Sequence, residues 1–337
     1  MNALPQAFQR YREDINRELE SILSRGGLTL YDMMRYHLGW IDERGCSVED
    51  KGGKLVRPTL CLLSCTAVGG DWRVALPAAA AVELVHNFSL IHDDIEDGDE
   101  KRRGRATVWR IWGEPQAINT GDAMHSLARL ALLRLDGKGV SKGKVIRAAS
   151  ILDETCVELC EGQYWDISYE GRLDINIEAY LEMIDRKTAA LMACSFEIGA
   201  LLGTEDDRVV RGFQHLGRKL GLAYQMKDDI LGIWGGKPSA SDIEKRKNTL
   251  PVICAWERAK GEEREELLRI YRQETITSED INRVIQILSD LGAKEYAEAM
   301  AKKSYQEALA ELEGAKLSPS AEEELRSVMT FLIQREY

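Results

Sequence analysis

Hydrophobic positions recur at helical spacing along most of this chain. Apolar residues return every three or four positions, and the long segments show none of the strict alternation that is typical of half-buried strands. Two runs are especially long, at 78–95 and 213–234, and the first contains neither Gly nor Pro. Elsewhere Pro and Gly fall mostly between the periodic segments, where they end helices. The pattern predicts an all-α protein of roughly a dozen helices.

These helices are expected to form a single domain that spans residues 1–337. The 337 residues are 44% hydrophobic and include only seven prolines, which is enough apolar material for a large core. No linker-like or low-complexity stretch divides the sequence, and no repeat of solenoid period is present. One helical bundle is therefore the predicted architecture.

The charge balance narrows the possible partners and location. A formal net charge of −11 argues against general binding to nucleic acid or to an anionic membrane. No run approaches the roughly eighteen consecutive apolar residues that a membrane span needs. The first twenty residues carry acids throughout and resemble neither a signal peptide nor a transit peptide. With seven cysteines, an odd number that fits reduced thiols, the sequence predicts a cytoplasmic protein.

Candidate chemistry is concentrated in the stretch LIHDDIEDGDEKRRGR. Asp93 and Asp97 are one helical turn apart on one face, with Asp94 beside them. Like charges at this spacing repel and weaken a helix, so a cation is expected between them, and carboxylate oxygens without Cys favour Mg²⁺. Arg102 and Arg103 are suited to bidentate phosphate contacts. The stretch indicates a diphosphate site, although a solvated acidic helix end followed by a basic turn has the same pattern.

A second stretch, QMKDDILGIWG, repeats the arrangement. Asp228 and Asp229 lie near the end of the apolar run at 213–234. The loop that follows is basic and includes Lys237 and Lys247. Two aspartate-rich helix ends, each followed by basic residues, could face each other across a bundle and hold a metal-bridged diphosphate. Chance explains either stretch alone more easily than it explains both.

Several elements, in this order, resemble those of the trans-isoprenyl diphosphate synthases, also called polyprenyl synthetases. They are GGKLVRP at 52–58, ELVHNFSLIHDD, DDIED with the tail RRGRAT, EGQYWD at 161–166, KTAAL at 187–191 and DDILG. The resemblance extends from about residue 52 to residue 251. It implies the isoprenoid synthase fold, in which helices surround a deep central cavity. It also implies Mg²⁺ as cofactor, with three ions per site when substrate is bound, and a homodimer.

The resemblance further implies a division of the site residues. The implied metal ligands are Asp93, Asp97 and Asp228, with Asp94 and Asp229 beside them. The implied allylic diphosphate contacts are Arg102, Lys187, Lys237 and Lys247. The implied pocket for isopentenyl diphosphate consists of Lys54, Arg57, His86 and Arg103. Thr188 and the Gln225 carbonyl are implied to stabilise an allylic carbocation, so that Lys187, Thr188 and Gln225 form the catalytic group.

Two positions bear on the details of the reaction. Gly232 stands where many relatives carry a third aspartate, and we expect the change Gly232→Asp to have a modest effect. Phe88 and Ser89, five and four residues before the first aspartate, resemble the geranylgeranyl type of chain-length pattern. A partner helix could supply the floor of the pocket instead, because Phe88 lies about 140° from Asp93 around the helix axis.

The resemblance predicts a prenyltransferase that makes a longer prenyl diphosphate, with geranylgeranyl diphosphate as the expected product. Farnesyl diphosphate or a longer chain is the alternative product. Two other classes remain open, a class I terpene cyclase and a non-catalytic subunit of a prenyl synthase. The GKLVRP element and both arginines after DDIED argue against a cyclase, which needs no second diphosphate site.

Overall fold

The computed structural model describes residues 5–48, 52–235 and 241–334. Nearly all of the regular structure in these residues is helical, which confirms the predicted all-α class. The α-helices are α1 (Gln6–Leu23), α2 (Thr29–His37), α3 (Val56–Ala67), α4 (Trp72–Glu96), α5 (Val108–Trp112), α6 (Glu114–Leu133), α7 (Lys142–Tyr169), α8 (Ile177–Ile184), α9 (Ala190–Gly203), α10 (Asp207–Trp234), α11 (Ser241–Glu244), α12 (Leu250–Arg258), α13 (Gly261–Tyr271), α14 (Ser278–Asp290), α15 (Ala293–Gly314) and α16 (Pro319–Ile333). A 3₁₀ turn (Asp136–Lys138) precedes α7.

Helix α4 lies at the centre of the bundle. Its N-terminus is capped by Asp71, whose carboxylate accepts a hydrogen bond from the backbone N–H of Arg73. The helix therefore begins six residues before the run at 78–95 that predicted it. Four consecutive buried alanines, 78–81, keep its surface small and let α3, α6 and α9 pack closely against it. Helix α10 lies across the same core, against α9 and α15.

The apolar character of α4 serves packing within this bundle. By length and composition alone, Trp72–Glu96 could cross a membrane, and among the described residues it is the single helix that meets this test. However, 72% of its most apolar window is buried against the rest of the protein. The core position of α4 therefore accounts for its composition.

A short β-hairpin that the sequence pattern did not predict follows α4. Strand β1 (Lys101–Arg102) pairs antiparallel with β2 (Arg105–Ala106). Two-residue strands are too short to show alternation, so the periodicity gave no signal. Both turn residues have positive φ, 51° at Arg103 and 76° at Gly104, as a two-residue hairpin turn requires. Tyr36 of α2 donates a hydrogen bond to the Ala106 carbonyl at 2.7 Å, which anchors the hairpin to the bundle.

A π-helical segment, Asp185–Ala189, joins α8 to α9 and packs closely against two neighbouring helices. A Cβ atom at Gly162 of α7 would lie 2.3 Å from the Lys187 backbone nitrogen. A Cβ atom at Gly221 of α10 would lie 2.5 Å from the Cα atom of Ala189. Only glycine fits at these two positions without moving backbone. The segment carries Lys187 and Thr188, in keeping with the frequent occurrence of π turns at functional sites.

Candidate active site

The C-terminal end of α4 presents two partly exposed carboxylates to a group of cations. Asp93 accepts hydrogen bonds from Gln163 at 3.2 Å, from Arg102 at 3.3 Å and from Lys187 at 3.4 Å. Asp97 accepts one from Lys247 at 3.1 Å. Their side chains are 21% and 8% exposed, so the charges are only partly screened by solvent.

Asp94 is buried more deeply than its two neighbours, and its role as a metal ligand stays a prediction. The side chain is 1% exposed, and its Oδ1 atom accepts a hydrogen bond of 2.6 Å from Arg102 Nε. Burial raises the pKa of Asp94 to about 6, although Arg102 opposes the shift. The next residue along a helix points about 100° away, so Asp94 faces the hairpin while Asp93 faces the cations. The contact holds the Arg102 guanidinium in place beside Asp93.

Asp229 of the second motif makes several contacts within the protein, and its ligand role also stays a prediction. The carboxylate is buried and accepts hydrogen bonds from the Tyr180 hydroxyl at 2.6 Å, the Leu250 N–H at 2.9 Å and Gln225 Nε2 at 2.9 Å. Burial raises the pKa of Asp229 to about 7, and these hydrogen bonds lower it in part. Asp229 therefore organises the junction of α8, α10 and α12.

The predicted catalytic residues Thr188 and Gln225 belong to a hydrogen-bonded chain that ends at Asp229. Thr188 Oγ1 donates to Gln225 Oε1 at 2.8 Å, and Gln225 Nε2 donates to the Asp229 carboxylate. These contacts fix the orientation of the Gln225 amide. The oxygens of Thr188 and Gln225 keep lone pairs that are not used in this chain.

The two acidic helix ends face each other, as the sequence predicted, and lysines connect them. Asp228 lines a cavity of about 130 Å³ together with Lys187 and Lys247. Lys247, which follows the second motif, pairs with Asp97 of the first motif, while Lys187 pairs with both Asp93 and Asp166. Burial lowers the pKa of Lys247, but the neighbouring carboxylates of Asp97 and Asp166 outweigh burial and raise it.

Lys237, the remaining predicted diphosphate contact, lies outside the described residues.

A basic cavity of about 420 Å³ adjoins α3 and α4. All four residues predicted for this pocket, Lys54, Arg57, His86 and Arg103, line it. Arg57 Nη1 donates to His86 Nε2 at 3.3 Å. Burial, and then the positive charges of Arg57 and Arg103, hold the pKa of His86 well below its usual range. The imidazole is therefore neutral, with Nε2 as an acceptor because a guanidinium can only donate.

An apolar cavity of about 420 Å³, lined mainly by α4 and α7, connects the acidic and basic regions. It shares Arg57 and His86 with the basic cavity and Lys187 and Thr188 with the acidic one. The single deep cavity that was predicted thus consists of three adjoining cavities with shared walls.

Both predicted chain-length residues, Phe88 and Ser89, line this apolar cavity. The Phe88 ring packs against the imidazole of His125 on α6, with 4.7 Å between ring centroids, and against that of His92 at 5.9 Å. A second helix therefore supports the aromatic side chain from behind. The Ser89 hydroxyl donates to the His86 carbonyl at 2.9 Å.

Several residues at the site escaped the sequence analysis. Arg12 of α1 lines the basic cavity and donates a hydrogen bond to the Gly53 carbonyl at 3.0 Å. Tyr180 anchors Asp229, and Asp242 lines the acidic cavity. Arg12 and Tyr180 lie far from any motif and carry no local signal. Asp242 could have been suspected from its place in the loop between DDILG and Lys247.

The donor atoms at the acidic site suit Mg²⁺ that arrives with a diphosphate. Within residues 5–48, 52–235 and 241–334, no three His, Cys, Asp or Glu side chains converge closely enough to hold a metal ion by themselves. Mg²⁺ in phosphoryl sites is commonly bound through one or two carboxylates plus substrate phosphate oxygens. Asp93, Asp97 and Asp228, on two facing helix ends, provide carboxylates of this kind.

Comparison with known proteins decides the family. The model of the family described as polyprenyl synthetase matches residues 39–288. This chain belongs to the polyprenyl synthetase family. The matched residues include both aspartate motifs and the whole of the basic cavity except Arg12. The resemblance drawn from the sequence is thereby confirmed.

Relatives within the polyprenyl synthetase family differ in the products that their names record. A geranylgeranyl diphosphate synthase from Mycobacterium tuberculosis is 38% identical over 93% of this chain and 89% of its own length. A (2E,6E)-farnesyl diphosphate synthase from Mycobacterium bovis is 42% identical over 80% of this chain and 76% of its own length.

Solved structures of polyprenyl synthetases share the fold. One from Streptomyces coelicolor is 36% identical and superposes with a TM-score of 0.90, covering 97% of this chain and 99% of that one. A polyprenyl synthase from Caulobacter crescentus, complexed with calcium and isoprenyl diphosphate, is 27% identical with a TM-score of 0.83 and covers 98% of both chains.

Proposed function

We propose that this chain is a trans-prenyltransferase that condenses isopentenyl diphosphate with an allylic diphosphate, head to tail, to a longer prenyl diphosphate. One observation carries the proposal. Two polar cavities of different chemistry, one acidic with lysines and one basic, open onto a common apolar cavity. Two diphosphates can therefore bind apart while their hydrocarbon parts meet.

The acidic site is proposed to bind the allylic diphosphate with Mg²⁺, as three ions held by Asp93, Asp97 and Asp228. The calcium in the Caulobacter relative supports a divalent ion in this family. When bound, the ions supply Lewis-acid stabilisation of the departing diphosphate. Arg102, Lys187 and Lys247 already lie against the carboxylates, where each can turn to a diphosphate oxygen.

The carbon–oxygen bond of the allylic substrate breaks first and leaves an allylic cation at the mouth of the apolar cavity. Thr188 and Gln225 present neutral oxygens that stabilise this cation without trapping it covalently. The apolar walls exclude water, which would otherwise hydrolyse the cation.

Isopentenyl diphosphate is proposed to bind without metal in the basic cavity, through Lys54, Arg57 and Arg103 with neutral His86. Its double bond attacks the cation and forms the new carbon–carbon bond. A proton is then lost, and we assign the released diphosphate as the base that accepts it. His86 is a poor base, because burial and the charges of Arg57 and Arg103 hold its pKa well below the usual range.

Geranylgeranyl diphosphate is the proposed product. The geranylgeranyl synthase named above covers more of this chain than the farnesyl synthase does, which supports the longer product. The apolar cavity with Phe88 in its wall supports a defined stop, and farnesyl diphosphate or a longer chain is the alternative.

We propose that the chain acts as one domain, in the cytoplasm, as a homodimer. Exposed apolar side chains on α6 and α7 support the dimer, because large apolar side chains are costly to leave in water. They include Ile118, Leu130 and Leu133 of α6 and Ile146 and Val157 of α7, which are 43–67% exposed.

Incubation with Mg²⁺, isopentenyl diphosphate and an allylic primer tests the proposed function. We expect a prenyl diphosphate longer than the primer, detected by chromatography after the diphosphate is removed. A hydrocarbon product would instead indicate a terpene cyclase. Absence of turnover by the intact, folded chain would indicate a non-catalytic subunit.

The two diphosphate sites should separate in kinetics. Arg57→Ala and Arg103→Ala should raise KM for isopentenyl diphosphate by roughly tenfold or more, because each removes a charge-assisted hydrogen bond. Arg102→Ala and Lys247→Ala should mainly impair the allylic substrate. Steady-state measurements with each substrate varied in turn provide the check. If all four substitutions impaired the kinetics of both substrates equally, the two cavities would act as one site.

A further inference from the structure

One carboxyl group lies in the wall of the basic cavity, where the diphosphate of isopentenyl diphosphate is proposed to bind. Among the described residues that line this cavity, Glu83 is the only acid. It is three residues before His86, on the same face of α4. The cationic residues of the same wall are Arg12, Lys54, Arg57 and Arg103. An ionised carboxylate in this position would repel the diphosphate that the cations attract.

The contacts of Glu83 leave one of its oxygens unused. Glu83 is 5% exposed, and its Oε1 atom accepts a hydrogen bond of 2.9 Å from Asn87 Nδ2, one turn later on α4. Arg57 does not pair with it and instead donates to His86 Nε2. Within the described part of the chain, Glu83 forms no ion pair, and no group donates to its Oε2 atom. Glu83 is therefore not present as an ion-pair partner of the neighbouring cations.

Burial and a bound anion both favour the neutral acid at this position. Burial raises the pKa of Glu83, while Asn87, Arg57 and Arg103 lower it in part. A diphosphate in the same cavity would raise this pKa further, because a nearby like charge disfavours the ionised form. A protonated carboxyl group has one O–H donor. Oε2 could donate that proton to a diphosphate oxygen while Oε1 keeps its hydrogen bond from Asn87.

We infer that Glu83 takes up a proton from solvent when isopentenyl diphosphate binds and, as the neutral acid, donates a hydrogen bond to the diphosphate. The inference rests on the proposed function and adds one donor to the site that binds without metal. It also gives a reason for an acid among cations, because the carboxyl group changes from a repelling group to a donor when the substrate arrives.

The other titratable and charged groups around this cavity come from five parts of the fold. They are Arg12 of α1, Lys54 of the loop before α3, Arg57 of α3, His86 of α4, Arg103 of the hairpin and Tyr224 of α10. The guanidinium groups cannot lose their protons. His86 has a pKa held well below its usual range, so it starts as the neutral imidazole and is the second group that could accept a proton. The experiment must therefore separate Glu83 from His86.

Binding of isopentenyl diphosphate should weaken as the pH rises. The last proton of a phosphate group leaves near about pH 6, so the substrate is fully ionised above about pH 8. From about pH 8 to about pH 9, the dissociation constant for the unchanged protein should rise several-fold, towards the limit of roughly tenfold per pH unit that one proton sets. Glu83→Gln carries an amide that donates at any pH, so its dissociation constant should change less over this interval.

Isothermal titration of the full-length protein with isopentenyl diphosphate, without Mg²⁺ and near pH 8, counts the protons. Two buffers of different ionisation enthalpy are compared. The unchanged protein should take up about half a proton or more per bound substrate, because binding raises the pKa of one carboxyl group. Glu83→Gln should lose most of this uptake. Glu13→Gln, the same chemical change at an exposed acid of α1, is the matched control and should behave like the unchanged protein.

Proton uptake by Glu83→Gln equal to that of the unchanged protein would overturn the inference and would indicate His86 as the group that is protonated. Binding to the unchanged protein with no proton uptake would also overturn it, and that result does not depend on any variant. Unfolding midpoints measured without ligand show whether each variant is folded. If the unchanged protein neither binds isopentenyl diphosphate nor forms a prenyl product, the proposed function itself fails. If it forms the product but takes up no proton on binding, only the role of Glu83 fails.

Discussion

Asp93→Ala should lower kcat by more than roughly 10²-fold, since loss of even a supporting group at a metal site costs up to that much. Asp93 lies where Gln163, Arg102 and Lys187 converge, so its removal affects both the metal and the cations proposed to hold the allylic diphosphate. The protein should remain folded, because Asp93 and Asp97 repel each other across one helical turn.

Steady-state turnover at saturating Mg²⁺, with circular dichroism as the folding check, measures this effect. Glu100→Ala, an exposed acid just beyond α4, is the control and should retain full activity. Asp229→Ala should behave differently, because it leaves the buried donors of Tyr180 and Leu250 unpaired. Its main effect should be a loss of stability of about 1–3 kcal/mol per orphaned group. Retention of most activity by Asp93→Ala would refute the assignment of Asp93 as a metal ligand.

Phe88→Ala should shift the main product to prenyl diphosphates longer by one or more five-carbon units. The Phe88 ring forms part of the apolar cavity wall and is supported by His125, so its removal opens space between α4 and α6. Ser89→Phe should have the opposite effect, because a second aromatic side chain would fill the same cavity. Ser89→Ala changes little volume at that position and is the matched control.

Product chain length is measured by chromatography of the dephosphorylated products, with all variants compared at equal turnover. An unchanged product from both Phe88→Ala and Ser89→Phe would show that other residues limit the chain, while leaving the prenyltransferase assignment intact.

The helical class and the meeting of the two motifs could be predicted because both follow from spacing along the chain. Apolar residues at intervals of three and four specify helices, and acids at the ends of two such helices specify a shared charged region. The individual roles of Asp94 and Asp229 could not be predicted. Adjacent aspartates point about 100° apart on a helix, and only the neighbouring elements decide which one meets an arginine, a tyrosine or the cavity.

Other features depend on contacts that leave no mark in local sequence. Arg12 reaches the basic cavity from α1, 42 positions before Lys54. The hairpin after α4 has strands of two residues, too short for periodicity to indicate, yet it fixes the positions of Arg102 and Arg103.

The π-helical segment Asp185–Ala189 carries residues that are assigned to two different steps of the proposed reaction, so a change in its backbone would affect both steps. Lys187, which is assigned to the leaving group, and Thr188, which is assigned to the cation, are consecutive residues on one wide turn. Gly162 of α7 and Gly221 of α10 pack closely against this turn. Deleting one residue here would convert the wide turn to a regular one, because a π turn contains one residue more than an α turn. Both side chains would leave their places together. Changes in chain length during evolution should therefore be tolerated before or after this segment but not within it.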